Sequence, residues 1–193
     1  MQKPKQPQPE TPTVIQGKDL FASPNYATDL IVPYLRHVVE SEEYIWEPAV
    51  GEGKIYDRLQ SYGFHVCGSD ISGDWLRFNF VTDHLDNMGR IGAIVTNPPF
   101  SLKKKFVYKA IEYGLPFAFL IPCEACQWFL DAVKDYHCQI LVPTRRIDFI
   151  TPTGKSGKKS SAKFHSCWFT SGFNLPSDYT VVELSNETKK RDI

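Results

Sequence analysis

The sequence predicts a doubly wound α/β fold, a mainly parallel sheet covered by helices on both faces. Three observations predict it. From Tyr44 onward, short β-branched and aromatic runs alternate with segments of helical periodicity. Glycines and prolines fall at the junctions between them. The 193 residues, 42% hydrophobic and 23% charged, supply one ordinary core rather than two.

The elements follow in order. Residues 1–18 hold Pro4, Pro7, Pro9 and Pro12 among Gln, Lys and Thr, a composition that cannot bury enough apolar surface to order itself, so a disordered tail is expected there. A domain over residues 19–185 follows. Leu30, Ile31, Tyr34, Leu35 and Val38 form a stripe near helical spacing, with Pro33 placing a kink. Tyr44-Ile45-Trp46 reads as a strand, Glu47 to Gly53 as a tight loop, and Ile55, Leu59 and Tyr62 as one face of a helix that Gly63 closes. His65 to Gly68 is a second strand, with Asp70 just past its end, and Ile91 to Thr96 a third. A helix over Leu102 to Tyr113, a strand over Phe117 to Ile121, a helix over Glu124 to Asp135 and strands over Gln139 to Val142 and Phe164 to Thr170 complete the domain. Residues 186–193 are expected as a C-terminal tail.

Charge and cysteine content exclude several function classes. The 22 basic and 22 acidic side chains cancel, so attraction to a polyanion has to come from local clustering. The apolar runs fall short of the roughly 20 residues that cross a bilayer, and no signal-peptide pattern opens the chain; a cytoplasmic address is expected, the host's if the chain is phage-encoded. The five cysteines are odd in number and irregularly spaced, as reduced thiols would be. Cys123 and Cys126 form a CxxC without a second ligand pair, so a helix start with two small residues is expected rather than a metal site.

Two segments carry chemistry. In Glu47-Pro48-Ala49-Val50-Gly51-Glu52-Gly53, at the carboxyl end of the first strand, Gly51 and Gly53 let a ligand approach the backbone amides. Lys54 is followed by Ile55 rather than Ser or Thr, and Tyr56 stands where a dinucleotide loop has its third glycine. Glu47 and Glu52 would repel a pyrophosphate but suit an ammonium or sulfonium group, as in S-adenosylmethionine. Asp70 at the tip of the next strand is placed to accept hydrogen bonds from a ribose diol.

The second segment is Asn97-Pro98-Pro99-Phe100 at the end of the third strand. Its prolines fix the backbone and remove amide donors, which leaves rigid carbonyls short of local partners. The exocyclic amine of a flat base has two hydrogens to donate. The Asn97 side-chain oxygen can accept one and the Pro98 carbonyl the other, while Phe100 offers a ring on which the base stacks.

Together Phe21-Ala22-Ser23-Pro24, the Glu47 to Gly53 loop, Asp70 and the Asn97 to Phe100 tetrad resemble, in this order, the motifs of class I S-adenosylmethionine-dependent amino-methyltransferases, above all the N6-adenine enzymes of the gamma arrangement and small phage-type DNA adenine methylases. The resemblance spans residues 21–121. It implies a seven-stranded, mostly parallel Rossmann-like sheet with an antiparallel last strand. It implies that Phe21, Ser23 and Pro24 close over the methionine end of S-adenosylmethionine, that Glu47, Pro48, Ala49, Gly51 and Gly53 line its amino-acid moiety, and that Asp70 and Ile71 hold the ribose. Asn79-Phe80 stands where the family has an Asp-Phe pair against the cofactor adenine, the Asn79 amide still able to accept; Ser23 stands where Thr is common. Asn97, with Pro98, Pro99 and Phe100, is the implied catalytic group.

A nucleic-acid partner is implied too. Across residues 143–163, expected to be a mobile loop, Arg145, Arg146, Lys155, Lys158, Lys159 and Lys163 face one acid, Asp148, a pattern suited to phosphate contacts. Lys103, Lys104 and Lys105 extend it. His165, Trp128 and Trp168 are expected to pack. Adenine N6 in DNA is the favoured acceptor. An RNA adenine enzyme, a protein glutamine-amide methyltransferase and a non-catalytic nucleic-acid-binding module remain open.

Overall fold

The computed structural model describes residues 21–85, 89–150 and 164–190. The expected N-terminal tail, and Lys155, Lys158, Lys159 and Lys163 of the basic loop, lie outside the described residues.

Eight strands form one sheet: β1 (Tyr44–Glu47), β2 (His65–Asp70), β3 (Leu76–Arg77), β4 (Ile91–Thr96), β5 (Phe117–Pro122), β6 (Gln139–Pro143), β7 (Ser166–Ser171) and β8 (Tyr179–Val182), in the spatial order β3-β2-β1-β4-β5-β7-β6-β8. The chain runs outward from β1 through β2 to β3, then returns to the other side of β1 with β4 and β5. That reversal opens a crevice at the carboxyl ends of β1 and β4, the usual ligand position in a doubly wound sheet. Strand β7 is antiparallel to both β5 and β6, as expected of the last strand. It is not the last, however, because β8 follows and pairs parallel with β6 from Ile140↔Tyr179 to Pro143↔Val182. The sheet has eight strands where seven were expected. Strand β3 has two residues, too few for any periodicity to register, and β8 is an edge strand with Tyr179 and Val181 exposed.

Alternation along the strands divides the core into two layers, since successive side chains point to opposite faces. Ile45, Val95, Leu120 and Leu141 pack on one face with Ile55, Leu59 and Trp168. Trp46, Ile94, Phe119 and Ile140 pack on the other with Phe80, Phe106 and Phe129. Helices α1 (Asn25–Asp29), α2 (Val32–Leu35), α3 (Lys54–Ser61), α4 (Lys103–Tyr113) and α5 (Gln127–Tyr136) cover these faces. Pro33 sits in the first turn of α2, which separates it from α1. Helix α5 starts later than expected: Cys126 caps it in extended conformation, leaving Glu124 outside. Residues 186–190, placed in a tail by the sequence, form the short helix α6 (Asn186–Lys190), whose Lys189 Nζ lies 2.7 Å from Asp148 Oδ2.

Trp168 donates its indole N–H to Ala27 O at 2.8 Å, His165 donates from Nε2 to Pro143 O at 2.7 Å, and Trp128 packs on Phe129 and Phe169, so all three hold the fold together. Among the described residues no helix is long and apolar enough to cross a membrane.

Candidate active site

Strand β1 ends on Glu47, and the chain turns through residues 48–53 into α3. Gly51 and Gly53 have φ of 53° and 79°, backbone that a side chain would strain. Three hydrogen bonds tie this loop to its neighbours. Val50 N–H donates to Ser69 O (3.3 Å), Gly51 N–H donates to Asp70 Oδ2 (2.9 Å), and the Thr96 hydroxyl donates to Ala49 O (3.5 Å). The tips of β2, β1 and β4 are therefore joined into one rim.

Asp70 is a hinge of that rim. Besides the Gly51 bond, its Oδ1 accepts from Ser72 N (3.0 Å) and Ser72 Oγ (3.2 Å), so one carboxylate fixes the loops after β1 and β2 at once. Oδ2, with one bond, retains lone-pair capacity for a ligand hydroxyl. Asp70→Ala is expected to weaken cofactor binding in calorimetry more than it lowers turnover at saturating cofactor. It should also cost about 1–3 kcal/mol of stability, because two backbone donors lose their acceptor. An effect confined to turnover would remove Asp70 from the binding site.

The rim encloses a cavity of about 820 Å³, within the range of small-molecule sites. Glu47, Pro48, Ala49 and Gly51 line it from the first loop; Asp70, Ile71, Asn79 and Phe80 line it from the segment after β2. Phe21 and Ser23 close it from the N-terminal side, and Asn97 and Pro99 from the tip of β4. Four residues expected at the site do not reach the cavity surface. They are Pro24, Gly53, Pro98 and Phe100.

Three buried polar atoms of residues that line this cavity have no hydrogen-bond partner among the described residues: Ser23 Oγ, Glu47 Oε2 and Asn97 Oδ1. A buried orphan acceptor costs free energy, so three around one cavity require a reason. Glu47 is 1% exposed. Burial pushes its carboxyl well above the usual carboxylate range, a bond from the Tyr56 backbone N–H at the start of α3 pulls it back in part, and the Asp70 and Asp57 charges raise it further. The carboxylate thus lacks a cation among the described residues, and a ligand ammonium would supply one. Asn97 donates from Nδ2 to the Phe21 carbonyl at 2.7 Å, which fixes the amide orientation chemically: Oδ1 has to face the other way, as an acceptor.

One expectation is corrected. Phe100 does not present an open ring. It is 8% exposed, Phe21 stacks on it with centroids 5.2 Å apart and planes 20° off parallel, and Phe149 and Phe164 meet it edge-on at 5.7 and 5.3 Å. The reason is apolar burial: Phe21 and Phe100 cover each other. Asn79 Oδ1 takes the Val81 N–H at 3.1 Å in an Asx turn and keeps one lone pair with which to accept from a ligand.

The sequence reading passed over several wall residues. Arg77, Thr82, Asp83 and Lys105 also line the cavity, and Trp75 donates its indole N–H to Gly51 O at 3.2 Å. The signal for Trp75 was Gly68 in the middle of β2: a Cβ there would lie 2.8 Å from Val50 Cγ2 and 3.2 Å from the Trp75 ring.

The chain matches no protein-family model and no curated protein. Among solved structures it is similar to the type IIG restriction endonuclease BpuSI, with TM-score 0.50 and 14% identity over 83% of this chain and 25% of that one. It therefore spans a quarter of the length of BpuSI. Further similarities are to the tRNA methyltransferase TrmI from Aquifex aeolicus, with TM-score 0.41 and 12% identity over 74% of this chain and 68% of that one, and to the CcbJ methyltransferase from Streptomyces caelestis, with TM-score 0.39 and 13% identity over 52% and 50%. With antiparallel β7 lying between β5 and β6, the architecture is settled. The fold is a doubly wound, Rossmann-like α/β sheet, mostly parallel with one antiparallel strand set between two others.

Proposed function

We propose that the protein transfers a methyl group from S-adenosylmethionine to the N6 amino group of adenine in nucleic acid, DNA in preference to RNA. One observation carries the reading: unpartnered acceptors of two kinds, a carboxyl oxygen on β1 and an amide oxygen just past β4, belong to residues that line one cavity from adjacent strand tips. The first suits a cationic amino acid, the second a planar amine.

On this reading Glu47 would take the ammonium of the cofactor, the Gly51 backbone would pass beside its amino-acid moiety, Asp70 would accept from its ribose hydroxyls, and Asn79 and Phe80 would bound its adenine. Bound S-adenosylmethionine supplies a sulfonium-activated methyl, an electrophile that needs no metal or nucleophilic side chain. The chain's own task is alignment. Asn97 Oδ1 would accept one amino hydrogen, and the Pro98 carbonyl, which does not line the cavity in the free protein, would have to turn toward it to accept the other. Pro98 has no amide hydrogen of its own, and its carbonyl takes no hydrogen bond from the described residues. Two acceptors on the hydrogens aim the nitrogen lone pair and stabilise the positive charge that grows there during attack. The apolar walls around Phe21 and Phe80 keep water out. A base in duplex would have to be flipped to enter.

The preference for DNA rests on the order of the motifs alone, and the excess of basic residues across 143–163 supports a nucleic acid of either kind. The test is transfer of labelled methyl from S-adenosylmethionine to separate pools of DNA, RNA and protein, followed by digestion and mass identification of the modified residue. N6-methyladenine from the DNA pool is expected. N6-methyladenine from RNA alone would move the substrate; methylated glutamine, or no transfer to any pool, would overturn the reading.

A further inference from the structure

The Phe21–Phe100 pair has the geometry of a base on an aromatic platform. Phe21 lies 20° off parallel to Phe100 at 5.2 Å, whereas the other two rings around Phe100 stand edge-on, Phe149 at 76° and Phe164 at 83°. Phe21 therefore covers one face of Phe100 in the free protein, and Phe149 and Phe164 stand nearly perpendicular to that ring. The backbone of Phe21 is held independently of its ring. Its carbonyl accepts the Asn97 Nδ2–H at 2.7 Å, and the neighbouring Ala22 is paired with Ile150 by two backbone bonds of 2.9 Å. A rotation about χ1 would move the ring and leave both anchors in place. Phe21 is also the half-buried member of the pair: it forms part of the cavity wall, which Phe100 does not reach.

The geometry points to Phe21 as a surrogate base, a ring that occupies the seat of the target base on Phe100 and leaves it when a base arrives, while its carbonyl continues to fix the acceptor orientation of Asn97. This rests on the reading of the tetrad as a base-amine site given above. Two consequences follow. In the free protein the Phe100 face stays dry, because another aromatic ring covers it. In the complex the incoming base has to displace a ring of similar size, so base binding carries a competition term that a smaller residue at position 21 would remove. Phe21 is then a selectivity element: a large planar base restores the stack that the displaced ring gives up, and a small or non-planar group does not.

The experiment titrates the protein with 2-aminopurine riboside and with a single-stranded oligonucleotide carrying one 2-aminopurine among adenines, and reads the fluorescence quench on stacking. Wild type, Phe21→Ala, Phe21→Leu, Phe100→Ala and the double variant are compared. Far-ultraviolet circular dichroism and the thermal transition establish that each variant is folded. Phe21→Ala is expected to bind both probes about tenfold more tightly than wild type, Phe21→Leu to fall between, and the gain to vanish when Phe100 is also Ala, because the platform is then gone. Unchanged or weaker probe binding by folded Phe21→Ala, or a gain that persists without Phe100, overturns the proposal. Failure here is separable from failure of the proposed reaction. Methyl transfer to adenine with no gain in Phe21→Ala sinks the surrogate base alone. Tighter probe binding with no transfer to any pool leaves a base seat in a protein that is not a methyltransferase.

Discussion

Glu47→Gln is expected to raise the melting temperature at neutral pH and to abolish binding of S-adenosylmethionine. The two effects share one cause. Glu47 is buried at the end of β1 with Oε2 unpartnered among the described residues, and burial, aided by the Asp70 and Asp57 charges, lifts its carboxyl well above its ordinary value of 4.5. The native state thus holds a proton that the unfolded chain releases above that value. Stability contributed by the protonated carboxyl is full below pH 4.5 and is lost as pH rises through the elevated native value. Gln has the same shape and no charge to lose, so its advantage should be absent near pH 4 and should grow to a plateau at higher pH. Each kcal/mol recovered is worth about 2–4 °C in a chain of this size. The ligand sees the reverse: an ammonium is attracted to a carboxylate and not to an amide. Cofactor affinity of the native protein should accordingly rise with pH across the interval in which Glu47 ionises, with proton release that calorimetry in buffers of different ionisation enthalpy detects. A Gln variant that binds the cofactor normally, or is less stable at neutral pH, would remove Glu47 from the role assigned here.

The same residue shows what the sequence could and could not reveal. An acid before a glycine loop at a strand end is a local pattern, readable from six neighbours, and so is a proline-fixed tetrad at the end of another strand. Both stand where the alternation of strands and helices puts them. What could not be read depends on contacts between distant positions or on elements too short to have a period. The Phe21–Phe100 stack joins residues from opposite sides of the first half of the chain, and no periodicity encodes it. Strand β3 has two residues, and β8, Tyr179-Thr180-Val181-Val182, is a β-branched edge of only four residues with no fully buried position to mark a core face. Asn79 is the instructive intermediate. Its Asx turn to Val81 is local chemistry that asparagine favours, and it occupies one of the two lone pairs of the side-chain oxygen.

Asn97→Ala is expected to lower the rate of methyl transfer by at least about 10²–10³-fold, the usual effect of deleting one group that meets charge developing in a transition state, while cofactor affinity stays within a few fold. The structure separates the two ends of this side chain. Nδ2 spends its hydrogen on the Phe21 carbonyl, and Oδ1 is left buried and unpartnered among the described residues. Alanine removes both. Asn97→Asp keeps an acceptor oxygen and forfeits the donor, setting a carboxylate against the Phe21 carbonyl. Its loss should be smaller than that of alanine if acceptance of the amine hydrogen is what drives transfer, and as large if the strap to Phe21 is. Single-turnover rates at saturating cofactor and nucleic acid distinguish these outcomes, because neither binding step then contributes. If alanine instead abolishes cofactor binding, Asn97 belongs to the cofactor site and the amine has to be held elsewhere. If alanine transfers methyl at the native rate, the orphan oxygen past β4 has no part in the reaction, and the pairing of carboxyl and amide acceptors across one cavity loses its chemical meaning.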